Sequence, residues 1–174
     1  MTDQGVPKTI TVIGAGAIGG TMGAFLTDAG HDVTLVDREV AHVDAINVRG
    51  LRITGVRGDR TFRVRARVPE DVRAPLGTVL LAVKAQATGD ALRQVAPLLA
   101  PGGVVVSMQN GLCEEEIAAV VGSARTIGCL VYYAADYLAP GHIELGSDHE
   151  IYFGELDGSI TPRLLTLTAV MNDA

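Results

Sequence analysis

The chain has 174 residues, 48% hydrophobic and 20% charged, with 21 glycines, two cysteines and a formal net charge of −6. High apolar content with modest charge excludes a disordered chain, two cysteines exclude a disulfide scaffold, and the acidic balance argues against a nucleic-acid binder. The length suits one domain over residues 1–174.

The first strand is predicted at Thr9–Gly14 (TITVIG), a short β-branched apolar run. Small apolar residues from Ala17 to Ala29, followed by Gly30, predict a helix with a glycine stop. Asp32–Val36 is a second buried strand, and Glu39–Arg49 a helix ended by Gly50. From Leu51 to Val68, arginines alternate with apolar residues, as in exposed antiparallel or edge strands. Arginines concentrate between Arg49 and Arg73, read here as a solvated strand face.

Thr78–Val83 is another buried strand. A helix is expected over Ala85–Ala100, closed by Pro101-Gly102-Gly103, then a strand at Val104–Met108. Glu114–Val121 reads as a helix and Arg125–Tyr133 as a strand. Gly141–Leu145 and Glu150–Phe153 are expected as short strands joined by a turn at Ser147-Asp148, and Thr161–Met171 as a last amphipathic helix. Strands alternate with helices and lack half-polar alternation, so the fold class is α/β, a doubly wound (Rossmann-type) mainly parallel sheet. The late strands predict a short antiparallel extension near the C-terminus.

No apolar run reaches the ~20 residues that cross a bilayer. The opening MTDQGVPK carries no signal-peptide pattern, so a cytoplasmic protein is expected. Cys113 and Cys129 stand apart without neighbouring His or Cys, and are expected as buried thiols with no metal site.

Gly14-Ala15-Gly16-Ala17-Ile18-Gly19 is a G-x-G-x-x-G set between a predicted strand and a predicted helix, the context that a dinucleotide fingerprint requires. Gly14 permits the tight turn, Gly16 lets a pyrophosphate approach the backbone, and Gly19 lets the helix pack on the strand. The helix N-terminus adds free N–H groups and partial positive charge. A turn that only packs is the alternative.

Asp37 lies 18 residues after Gly19, near the ~20 expected of a ribose-reading acid. A carboxylate there favours NAD, whereas the adjacent Arg38 is able to pair with the 2′-phosphate of NADP. Lys84 follows one buried strand and Asn110 the next. Ligands in open α/β sheets bind outside the carboxyl ends of strands, so both side chains are expected to face the crevice. An exposed lysine and a turn-forming Asn-Gly are the bland readings.

The set resembles the ketopantoate reductase family. The matching segments are VIGAGAIGG at 12–20, AGHDVTLVDR at 29–38, GLRI at 50–53, VKA at 83–85 and QNG at 109–111. The resemblance covers the family's N-terminal nucleotide-binding domain. It implies NADPH-dependent hydride transfer to 2-dehydropantoate, giving pantoate on the way to pantothenate and coenzyme A. It implies a pyrophosphate at Gly14, Ala15, Gly16, Ala17, Ile18 and Gly19, and a 2′-phosphate at Arg38. Lys84 and Asn110 are implied near the nicotinamide ribose, Asn110 also near substrate, and Ala134 on the nicotinamide side. Asp37 departs from the commoner neutral residue there, which keeps NAD as the alternative cofactor.

Family members run to about twice this length, with a helical C-terminal domain that carries the general acid and much of the substrate site. No lysine follows Lys84 here, so the general acid is expected outside this chain. The chain alone is expected to bind nucleotide and to turn over ketopantoate negligibly. A reductase of another 2-oxo acid, or a stand-alone redox sensor or regulatory module, are the competing readings. Leu164, Leu165, Leu167, Val170 and Met171 give the last helix an apolar surface, which predicts a homo-oligomer or a partner supplying the missing domain.

Overall fold

The computed structural model describes residues 9–174, and the MTDQGVPK segment read above lies outside the described residues. The chain opens with β1 (Thr9–Ile13), α1 (Ala17–Asp28), β2 (Asp32–Val36) and α2 (Val40–Arg49). Three short strands follow, β3 (Leu51–Gly55), β4 (Arg60–Phe62) and β5 (Arg65–Arg67). Then come β6 (Leu76–Leu81), α3 (Thr88–Val95), β7 (Leu99–Ser107), α4 (Glu114–Val121) and β8 (Thr126–Val131). The chain closes with β9 (Ala134–Ala139), β10 (His142–Ser147), β11 (Ile151–Glu155) and α5 (Pro162–Asn172).

A seven-stranded sheet runs in the order β5-β2-β1-β6-β7-β8-β11. All its neighbours are parallel except β8 and β11, the expected antiparallel extension. Every residue of β6 is buried, which is why its sequence is a continuous apolar run rather than an alternating one. Fully buried Leu35, Leu80 and Leu81 each contribute roughly 1.5–3 kcal/mol by leaving water.

A second sheet, β4-β3-β10-β9, is parallel only between β3 and β10. α1 lies between the two sheets. A Cβ at Gly23 would sit 2.4 Å from Leu35 Cδ2 of the large sheet, and one at Gly20 would sit 2.6 Å from Ile143 Cδ1 of the small one. The glycines thus let one helix touch both layers. Residues Gly19 to Leu26 are all buried, as a helix covered on both sides requires.

Four sequence expectations change. The helix predicted over Ala85–Ala100 is a 3₁₀ turn (Ala85–Ala87), then α3, then a 3₁₀ turn (Ala96–Leu98). Pro97 has no N–H to continue the ladder. Pro101-Gly102-Gly103 lies inside β7, where the register with β6 shifts, instead of closing a helix. The strand predicted to reach Tyr133 stops at Val131, and β9 was not anticipated. The hairpin expected about Ser147-Asp148 does not form. Its two strands belong to different sheets, and β10 pairs with β9 instead, through a turn at Pro140-Gly141.

Thr161 caps α5, its side chain accepting from Leu164 N. Leu164, Leu167 and Met171 are part of this chain's own core, leaving Leu165 exposed, so the last helix is not a bare apolar face. Arg163 pairs with the Glu155 carboxylate and holds that carboxyl below the usual carboxylate range. Burial first, and then Glu114, push the Cys129 thiol up to about 12, which marks it as inert. The arginines from Arg49 to Arg73 are exposed, but several are paired with aspartates: Arg52 with Asp59, Arg57 with Asp148, Arg60 with Asp28 and Arg65 with Asp32. Among the described residues no helix is long and apolar enough to cross a membrane.

Candidate functional site

A cleft of about 730 Å³ opens at the carboxyl ends of β1, β2 and β6 and is closed on its far side by β9. The three glycines of the fingerprint show three different surroundings. Gly14 has φ +96°, and a Cβ there would lie 2.9 Å from the Ala82 carbonyl carbon and the Val83 nitrogen. A Cβ at Gly19 would lie 2.1 Å from the Gly14 carbonyl oxygen and 2.8 Å from Val12 Cγ1. A Cβ at Gly16 would meet nothing within 4 Å. Two glycines therefore serve packing, and the third keeps open the space beside the cleft.

Gly16 is the N-cap of α1, and no side chain caps this helix. Gly16 and Ala17 line the cleft, so the first-turn amides of α1 form an uncapped positive end there. Ala15 is fully buried. Its N–H donates to Asp37 Oδ2 at 2.9 Å, and its carbonyl oxygen accepts from His42 Nε2 at 2.8 Å. Ile18 is half-buried, with its carbonyl oxygen accepting from the Tyr133 hydroxyl at 2.7 Å.

At the end of β2, Asp37 Oδ1 accepts from Glu39 N–H at 2.9 Å, so each carboxylate oxygen already holds a backbone donor. Arg38 lines the cleft, is exposed, and has no hydrogen bond or ion pair to another described residue. Across the cleft, the Tyr137 hydroxyl donates to Glu39 Oε2 at 2.8 Å. Burial, then Glu39 and Asp37, push that phenol above its ordinary range. Asp136 lies on the same wall.

Lys84 also lines the cleft and is exposed, without a partner among the described residues. Asn110 and Ala134 do not line it. Asn110 is exposed in the turn after β7, where Gly111 at φ +102° redirects the chain, and Gln109 is the residue that turns inward. Ala134 opens β9 with its N–H donated to Ser147 Oγ at 3.0 Å. The fold thus gathers the glycine turn, Asp37, Arg38 and Lys84 around one cleft and leaves Asn110 and Ala134 outside its wall.

Sequence reasoning passed over His42, Glu39, Tyr137 and Gln109. Gln109 Nε2 donates to the Val83 carbonyl at 2.7 Å and to Thr88 Oγ1 at 2.8 Å, which fixes both ends of the turn carrying Lys84. Its Oε1, and Ser107 Oγ, are buried without a hydrogen-bond partner among the described residues. A polar residue on the buried stripe of α2 with Ala45 and Ile46, and a glutamine beside Asn-Gly, were the available signals. Open space at Gly16, an uncapped helix start and unpaired Arg38 and Lys84 together fit the phosphates of a dinucleotide.

A doubly wound sheet with this turn at its first strand end is a Rossmann-like, dinucleotide-binding type of architecture. The chain belongs to the ketopantoate reductase PanE/ApbA family, which matches residues 10–158. It is 35% identical over 184 aligned residues to a 2-dehydropantoate 2-reductase of Mesorhizobium japonicum, covering 93% of this chain and 56% of that one. The crystal structure of 2-dehydropantoate 2-reductase from Geobacter metallireducens superposes with a TM-score of 0.86 at 30% identity, over 95% of this chain and 55% of that one. A D-mandelate dehydrogenase solved with NADH and anilino(oxo)acetate superposes at 0.83 over 95% of this chain and 54% of that one; at 20% identity this likeness shows the fold alone. The chain spans about half the length of the curated relatives it matches.

Proposed function

We propose that this chain, as one domain, is the dinucleotide-binding part of a cytoplasmic reductase that acts on 2-dehydropantoate. The observation that carries this reading is the glycine turn, with Gly14 and Gly19 packed shut and Gly16 open beside an uncapped helix start. The turn and the first amides of α1 hold the pyrophosphate, Arg38 the 2′-phosphate of NADP(H), and Lys84 and Asn110 the groups near the nicotinamide ribose. Asn110 also meets substrate, and Ala134 flanks the nicotinamide side.

A bound nicotinamide dinucleotide supplies the hydride that reduces a ketone carbon. Lys84, a cation at the mouth of β6 without a partner among the described residues, stabilises negative charge developing on the substrate oxygen. The proton donor lies outside these residues. Removing a general acid typically costs ~10²–10⁴ in rate, so the chain alone binds dinucleotide and turns over 2-dehydropantoate negligibly. Another 2-oxo acid as substrate, or a binding module without its own chemistry, fits the same cleft.

NADH is a second cofactor reading with its own support. Asp37, Glu39 and Asp136 surround the ribose end of the cleft, and three carboxylates oppose a 2′-phosphate. Parallel titrations of the purified chain with NADPH and NADH test both. Tighter NADPH binding that is lost in Arg38→Ala supports the first reading, and tighter NADH binding that is weakened in Asp37→Asn supports the second. Failure of the folded chain to bind either dinucleotide overturns the proposal, and family-level turnover by this chain alone overturns the assignment of the proton donor elsewhere.

A further inference from the structure

We propose that His42 is a positioning residue that couples the second sheet to the glycine-rich turn; this rests on the reading of the cleft as a dinucleotide site. His42 is fully buried on α2, and both of its ring nitrogens are engaged by backbone. Gly141 N–H donates to Nδ1 at 2.9 Å, so Nδ1 is the acceptor and the ring is the Nε2–H tautomer. That Nε2–H donates to the Ala15 carbonyl oxygen at 2.8 Å. The tautomer is thus set by one strand turn and used on another.

The bond to Ala15 aims a different atom. The Ala15 carbonyl and the Gly16 N–H belong to one planar trans peptide and point in opposite directions. Holding the carbonyl against buried His42 directs the Gly16 N–H away from α2. Gly16 lines the cleft and has open space beside it. On the other side of Ala15, its N–H is held by Asp37. The peptides flanking Ala15 are therefore clamped by two side chains that both follow β2, and rotation of the Ala15–Gly16 peptide breaks the His42 bond.

The other nitrogen of His42 holds the β9–β10 turn. Gly141 has φ +76°, and a Cβ there would lie 2.9 Å from Ala45 Cβ, so the turn is seated closely on α2. The Tyr137 ring packs edge-on against His42 with centroids 5.0 Å apart, and Ala135, Asp136 and Tyr137 form the far wall of the cleft. One imidazole therefore joins the near wall, where the phosphates are held, to the far wall. Two elements held through a shared group respond together when a ligand biases either one.

The test uses the purified chain, with NADH and NADPH as probes. Dissociation constants are measured by nicotinamide fluorescence, and amide exchange of residues 134–147 is followed with and without saturating dinucleotide. For the tighter dinucleotide, His42→Ala is expected to raise the dissociation constant about 10-fold and to abolish any slowing of exchange in the β9–β10 hairpin. His42→Gln, whose amide offers both an N–H donor and an acceptor, is expected to stay within about threefold of the parent and to keep that slowing. A parent chain that binds, with His42→Ala binding within about twofold and the hairpin still protected, overturns the coupling alone. A folded parent that binds neither dinucleotide overturns the cleft reading and the coupling with it. If His42→Ala does not fold, the imidazole nitrogen spectrum of the parent decides. An Nε2–H tautomer whose Nε2 signal moves on NADH or NADPH addition supports the proposal, and a signal that does not move overturns it.

Discussion

The glycine turn and the ends of β6 and β7 are built on opposite plans. At the glycine turn, Ala15 gives its N–H to Asp37 and its carbonyl to His42, and Gly19 packs directly beneath the Gly14 carbonyl. At the ends of β6 and β7, Lys84 and Asn110 have no partner among the described residues, and Gln109 Oε1 and Ser107 Oγ are buried unpaired. The first end is finished before any ligand arrives, so its recognition is stored in backbone geometry. The second holds polar groups in reserve. The contrast suits a ligand whose phosphates need a fixed cradle and whose far end meets a second reactant.

The packed turn is most vulnerable at Gly19. Gly19→Val places side-chain carbon where 2.1 Å separates an ideal Cβ from a backbone oxygen, and is expected to cost about 3 kcal/mol or to prevent folding. Urea denaturation checks it, and near-parent stability would mean that the turn is not rigidly packed. Arg163→Ala serves as a control remote from both ends. It strands a nearly buried Glu155 and is expected to cost about 3 kcal/mol without changing the dinucleotide dissociation constant. The same pair gives a pH dependence. The Glu155 carboxyl is held below its ordinary value of 4.5, so its contribution is complete above that pH and is lost as pH falls through the lower folded value. Glu155→Gln is expected to flatten that acid limb in denaturation curves taken at successive pH values.

At the ends of β6 and β7, Gln109→Ala removes an internal brace. It releases the Val83 carbonyl and Thr88 hydroxyl, with an expected loss of about 1–2 kcal/mol and faster amide exchange in the Lys84 turn. Gly16→Ala inverts the Gly19 result: stability changes by less than about 1 kcal/mol, while dinucleotide affinity falls about 10-fold. Lys84→Ala is the smallest, within about 0.5 kcal/mol of the parent in denaturation, as expected of an exposed side chain with no partner.

The sequence made some of these features legible and hid others for physical reasons. β1, β2 and β6 were readable because a strand buried on both faces has to be apolar throughout, and the glycine turn because its spacing is fixed by one local geometry. β9 was missed because AADYLA lies almost wholly at the surface, where burial leaves no pattern. The second sheet was missed because β3 and β10 pair across 90 residues of sequence (Arg52 with His142), and no local run encodes that. Arg38 and Lys84 followed from strand ends. Strand-end position alone does not tell which of two successive side chains turns inward, and here Gln109 does while Asn110 stays exposed. His42 and Gln109 hold distant backbone groups, and hydrogen bonds of that kind leave no periodic trace.

β5 forms one edge of the large sheet. β5 is three residues long, with Ala66 buried between exposed Arg65 and Arg67. A sheet rim is a template on which a second chain can add a strand, and a short rim bearing positive charge is a poor one. Arg65 is tied to Asp32 on the neighbouring strand, so its charge is kept at the border. The ion pairs along this segment add little to folding energy, since exposed pairs are worth about 0–1 kcal/mol. The short length of β5 and its two exposed arginines instead disfavour the addition of a further strand at this edge.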